Sequence, residues 1–146
     1  ALFAEKNPEK VKAVAPVSTV VSGALILEAQ KQREPKVVKE WEKTGWLAKE
    51  SNSKPGVIRY LKWNHVLDRL QYDLLPEAGK LPMPVLLIVG EFDESTPFEQ
   101  QKIFYDALPM GAKEMHIIKS APHTFRDEGH LNQVRDIFGE WLNKLS

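Results

Sequence analysis

The sequence contains no cysteine, which removes disulfides, thiolate chemistry and cysteine-ligated zinc together and leaves the redox compartment undetermined. It also lacks net charge, since 20 basic residues balance 20 acidic ones. A neutral chain offers no electrostatic footprint for nucleic acid or an anionic membrane, so neither is expected as a partner. No apolar run approaches the roughly 20 residues that span a bilayer, and the N-terminus lacks the basic region, apolar core and cleavage site of a secretory signal. The chain therefore reads as soluble, with the cytoplasm as the expected compartment. What remains is ample. At 146 residues and 42% hydrophobic content it can form one globular domain with a real core, and four histidines are left to carry chemistry.

The chain is organised around Pro84-Val85-Leu86-Leu87-Ile88-Val89-Gly90-Glu91-Phe92-Asp93-Glu94-Ser95-Thr96-Pro97. Its apolar run is rich in branched side chains and too short for a helix, which suits a parallel strand covered on both faces. Gly90 is expected to end that strand. Thr96, Pro97 and Glu99 then read as a helix start, with Thr96 as N-cap, Pro97 at the first helical position and Glu99 closing a capping box. Asp93 is thereby presented at the C-terminal edge of a strand, where ligands and catalytic groups collect in open α/β sheets.

Upstream, residues 1–7 read as the last turns of a helix that begins without a cap, and Val11–Val17 as a short strand closed by Ser18 and Thr19. From Ser22 to about Pro76 the texture changes to helical segments crowded with charge and aromatics. One helix starts at Glu34-Pro35, carries Val38 and Trp41, and ends near Gly45; Ser51–Gly56 is a loop; a second helical stretch carries Ile58, Leu61, Val66, Leu67 and Leu70. Trp41, Trp46, Tyr60 and Trp63 either pack a small helical layer or line an apolar substrate pocket. Downstream of the central strand come a helix over Pro97–Leu108, a turn at Pro109-Met110-Gly111, a strand over Glu114–Lys119, a loop Ser120–Phe125, and a closing amphipathic helix. That helix repeats Leu131, Val134, Phe138, Trp141, Leu142 and Leu145 at helical spacing. Strand, helix, strand, helix implies parallel strands joined by right-handed crossovers.

Asp93 and His123 occupy equivalent places, each in the loop just beyond a predicted parallel strand. Neighbouring strands would bring them together above one sheet edge, as a carboxylate and imidazole pair requires. Spacing alone does not pair them. The surrounding loops add a resemblance. Residues 84–97 resemble the acid-bearing strand and loop of the α/β-hydrolase family, and Pro122-His123-Thr124-Phe125 resembles the loop that delivers its histidine. The resemblance implies Asp93 as triad acid and His123 as base. It also implies an upstream serine in a Gly-x-Ser-x-Gly elbow, and no such motif is present.

Residues 1–11 resemble the helix that follows the elbow, so the expectation is the C-terminal half of an α/β-hydrolase. That half would be one incomplete domain over residues 1–146, with three mostly parallel strands, flanking helices and a helical cap at residues 22–76. Tyr72-Asp73-Leu74-Leu75 and Glu140-Trp141-Leu142 look most like the cinnamoyl-esterase-like and dienelactone-hydrolase-like branches. The resemblance implies hydrolysis of a small-molecule carboxylic ester without any cofactor, in partnership with the N-terminal half that supplies the nucleophile. A peptidase, thioesterase or lipase on the same fold is the alternative enzyme. A non-catalytic fragment that associates with itself or exchanges strands through its exposed edge is the alternative of another class.

The remaining candidates have simpler explanations. Ser18 and Ser22 lack the flanking glycines of an elbow and read as turn or cap hydroxyls. His116 lies in a strand and His65 in a cap helix, where structural roles are expected. Asp127 and His130 stand at the start of the last helix, where capping explains an acidic residue. Glu91 and Glu94 flank Asp93 as solvated neighbours. No His/Asp/Glu grouping has the spacing of a metal site.

Overall fold

The computed structural model describes residues 1–51, 54–123 and 125–146. In chain order the elements begin with α1 (Leu2–Lys6), a 3-10 turn (Pro8–Lys10), α2 (Gly23–Arg33), α3 (Pro35–Thr44), β1 (Trp46–Glu50) and β2 (Ile58–Lys62). They continue with α4 (Asn64–Arg69), α5 (Leu75–Ala78), β3 (Val85–Phe92), α6 (Phe98–Ala107), β4 (Lys113–Pro122) and α7 (Glu128–Lys144). Two compact units result, one of Ala1–Val21 with Leu74–Ser146 and one of Ser22–Asp73.

The first unit is built on β3. Its alternate residues serve two different cores, as a strand buried on both faces must. Val85 and Leu87 pack with Ala4, Leu74, Phe104 and Leu108, while Leu86 and Ile88 pack with Ile118, Ala121 and Trp141. β4 pairs with β3 in parallel, joined by α6 as the crossover. On the opposite edge Val14 and Val17 bridge Val85 and Ile88, also in parallel. The strand expected over Val11–Val17 is therefore only two bridges. Pro16 is the reason: it accepts from the Ile88 amide at 3.2 Å but has no N–H to return to the ladder.

Three further boundaries differ from the sequence reading, the first being β4, which runs on through Ser120 to Pro122 where a loop was expected, because Phe92 pairs with Pro122. β3 runs through Gly90 to Phe92, because the glycine serves a close backbone approach rather than a strand end. α6 begins at Phe98 with Pro97 in the N-cap position and no side-chain cap. The expected capping box is absent because the Thr96 hydroxyl donates to Asp93 instead, at 2.7 Å. At the last helix the expected capping is present. Asp127 accepts from the amides of Gly129 and His130 at 2.8 and 3.3 Å.

In the second unit, Pro35 opens α3 and Gly45, at φ +78°, closes it by donating to Trp41, a left-handed C-cap that glycine adopts without strain. The helix expected across Ile58 and Leu61 is corrected: β1 and β2 form an antiparallel hairpin with Leu47 opposite Leu61. The i, i+3 spacing of Ile58 and Leu61 mimics a helix, but only Leu61 and Leu47 turn toward the core formed by Leu27, Val38, Trp41 and Val66. A cross-strand partner decided the outcome. Trp41 is buried, donates its indole N–H to the Leu61 carbonyl at 3.0 Å, and meets Trp63 edge to face at 5.4 Å. Of the loop expected over Ser51–Gly56, Asn52 and Ser53 lie outside the described residues. Among the described residues no helix is long and apolar enough to cross a membrane.

Candidate active site

At the C-terminal end of β3 the chain turns tightly, the Asp93 amide donating to the Gly90 carbonyl at 3.1 Å. The turn directs the Asp93 side chain inward, where it is wholly buried. A buried carboxylate needs donors, and local ones converge on it. The amides of Ser95 and Thr96 donate to Oδ1 at 2.9 and 2.8 Å, and the Thr96 hydroxyl donates to Oδ2 at 2.7 Å. Across the sheet edge, His123 Nδ1 lies 3.0 Å from both carboxylate oxygens. The structure thus brings together the two residues singled out from the sequence; Thr124, next to His123, lies outside the described residues.

The electrostatics fix the proton on this pair. Burial pushes the Asp93 pKa up, but the Thr96 amide, the His123 ring, the Thr96 hydroxyl and Ser18 together outweigh it, holding the carboxyl below the ordinary aspartate value. An ionised carboxylate can only accept. Nδ1 of a neutral His123 must therefore carry the hydrogen, which leaves Nε2 as the basic nitrogen of a ring that is 46% exposed. A buried acceptor that orients a solvent-facing imidazole in this tautomer equips the ring to take up and return a proton.

Thr96 is the neighbour of the pair that sequence reading missed, because a threonine before proline reads equally well as an N-cap. Its hydroxyl is also 3.4 Å from His123 Nδ1, so it contacts both members of the pair. Ser18, at φ +46°, lies close enough to contribute to the lowering at Asp93. The other candidates stand apart from this pair. His65 accepts from Arg69 at 2.7 Å, His116 faces Glu114 at 3.3 Å, and Asp127 caps α7. Ser22 is buried at the N-cap position of α2 without a side-chain capping bond. Glu94 is exposed, whereas Glu91 accepts from the Ser120 amide. Among the described residues no group of three or more histidines and carboxylates could hold a metal ion.

No protein-family model matches the chain. Among curated proteins it is 34% identical over 80 residues to an uncharacterized 31.7 kDa protein in the traX-finO intergenic region of Escherichia coli, the match covering 54% of this chain and 28% of that protein. Among solved structures it is similar to alpha/beta hydrolase domain-containing protein 10 from mouse, with TM-score 0.77 and 20% identity over 99% of this chain and 57% of that one. Est1E from Butyrivibrio proteoclasticus matches with TM-score 0.69 and 23% identity, over 99% of this chain and 55% of its own. A structure of Est1E with ferulic acid bound matches with TM-score 0.62 and 20% identity, over 97% and 54%. The chain spans a little over half the length of these structures and a smaller share of the curated relative. With β3 and β4 parallel around a crossover helix, and with an acid loop and a histidine loop meeting at their C-terminal edge, this chain has the α/β-hydrolase fold.

Proposed function

We propose that this chain is the acid- and histidine-bearing half of a serine-type carboxylic ester hydrolase. The observation that carries the reading is the buried Asp93 carboxylate holding His123 Nδ1 at 3.0 Å while the ring stays half exposed. In the proposed reaction a serine hydroxyl, supplied by the half that bears the nucleophile elbow, attacks the ester carbonyl as His123 Nε2 takes its proton. The tetrahedral intermediate collapses to an acyl-enzyme, and the same proton passes to the departing alcohol. Water then repeats the sequence with the acyl-enzyme, releasing the acid and restoring the serine. Asp93 stabilises the imidazolium formed in each half-reaction and stays ionised throughout. Backbone amides beside the elbow would hold the oxyanion. The ferulic acid bound to Est1E supports an ester with an aromatic acyl portion as substrate.

The test uses the hydrolase assembled from this chain and the elbow-bearing half, assayed on a panel of chromogenic aryl and alkyl esters. His123→Ala should abolish turnover, while His130→Ala and His116→Ala largely spare it. Asp93→Asn should cost on the order of 10⁴ in kcat, because an amide favours the wrong imidazole tautomer. Full turnover in His123→Ala, or its loss in His130→Ala, would overturn the assignment of the base.

A further inference from the structure

The pairing of β3 with β4 is broken just before the site. Up to Gly90 opposite Ile118 the paired residues differ by 28 in number, whereas Phe92 opposite Pro122 differs by 30. Between those pairs Glu91 alone faces three residues, Lys119 to Ala121, so β4 carries a bulge two residues deep. The first register, continued, would set Ala121 level with Asp93. The second sets His123 there. The bulge is what brings the imidazole to the carboxylate.

Three features meet at its backbone. Ser120, at its centre, adopts φ +58°, a left-handed conformation that a residue with a side chain resists. The Ser120 amide donates to Glu91 Oε2 at 2.7 Å, a bond to a charged acceptor directly across the break. Beside it, Gly90 leaves room for the crossing strand: a Cβ there would stand 2.4 Å from the Ala121 carbonyl oxygen and 2.9 Å from that of Pro122. Glu91 is exposed, and among the described residues its carboxylate makes no hydrogen bond to Asp93 or His123 but accepts from the bulge.

We propose that Glu91 is a positioning residue, clipping the Ser120 bulge so that β4 delivers His123, and not Ala121, to Asp93. The inference rests on the Asp93–His123 reading of the active site. Its test again uses the assembled hydrolase and a chromogenic ester. Glu91→Ala should lower kcat roughly ten- to hundredfold, the scale of a misplaced catalytic group, with KM and melting temperature close to the parent values. Glu91→Gln, which keeps an acceptor oxygen, should stay within a few-fold. Adding Ser120→Gly to Glu91→Ala should restore most of the lost kcat, since glycine adopts the positive φ without the steric cost that the clip offsets. Parent-like kcat in Glu91→Ala beside an inactive His123→Ala would overturn the clip while leaving the active-site reading intact. A loss that Ser120→Gly does not rescue would also overturn it, and an active His123→Ala would remove the reading on which it stands.

Discussion

Asp93 shows how a few local groups can reverse a large effect. A carboxylate with no exposed side-chain surface should be hard to ionise, yet the turn after β3 aims two amides and a hydroxyl at it and the histidine adds another donor. Its pKa is therefore depressed in the native state, which fixes the sign of its contribution to stability. The unfolded chain holds its proton more tightly, so the contribution is complete above the ordinary aspartate value of about 3.9. It is lost as pH falls below that value through the depressed native one. Chemical denaturation of the parent and of Asp93→Asn across pH 2 to 7 should therefore give a stability gap that is widest at the neutral end and closes toward the acid end. A gap that stays constant across that range would refute the ionised, donor-stabilised carboxylate.

Among the elements, the two units use different devices. β3 needs no surface pattern because both of its faces are covered, and its alternate side chains are divided between the two core clusters. The hairpin of β1 and β2 has one covered face, on which Leu47 and Leu61 join the cluster around Trp41 and Trp63, while Trp46 is exposed beneath the Lys62 ammonium. Trp41→Ala removes a buried indole and leaves the Leu61 carbonyl without its partner, and should cost about 3–5 kcal/mol. Trp46→Ala should fall within about 0.5 kcal/mol, as for other surface changes. Thermal or urea unfolding of the two variants tests the contrast, and equal losses would contradict the placement of Trp41 as the centre of that core.

At the scale of the whole molecule, the sheet of the first unit ends on one side in a segment rather than a full strand. The segment around Val14 and Val17 pairs with β3 on one side, and no strand among the described residues pairs with its other side. An open parallel edge favours a further strand. In the proposed hydrolase the elbow-bearing half supplies it. The expected outcome is a stable complex of the two halves with esterase activity, and self-association without activity for the 146-residue chain alone. Size-exclusion chromatography with light scattering, run with an ester assay, measures both. A cooperatively unfolding monomer that hydrolyses esters unaided would refute the shared-nucleophile proposal.

The sequence by itself determined what depends on near neighbours. A branched apolar run specified β3, Pro35 and Gly45 bounded α3, Asp127 capped α7, and Asp93 and His123 stood out because each follows a predicted strand in a loop that resembles the acid or histidine loop of the α/β-hydrolases. For the helix bounds and the cap the deciding partners lie within a turn or two along the chain. Only the tertiary structure decided that Ile58 belongs to a hairpin, that Pro16 interrupts a ladder, that Thr96 donates to Asp93 rather than capping a helix, and that a bulge at Ser120 sets His123 level with the acid. The hairpin, the ladder break and the bulge rest on partners across strands or on packing against distant residues, and the Thr96 hydroxyl turns to a carboxylate three residues away because folding buries that carboxylate. A residue's own type and spacing give its capacity to donate, accept or pack, but the partner that wins is chosen by the folded chain.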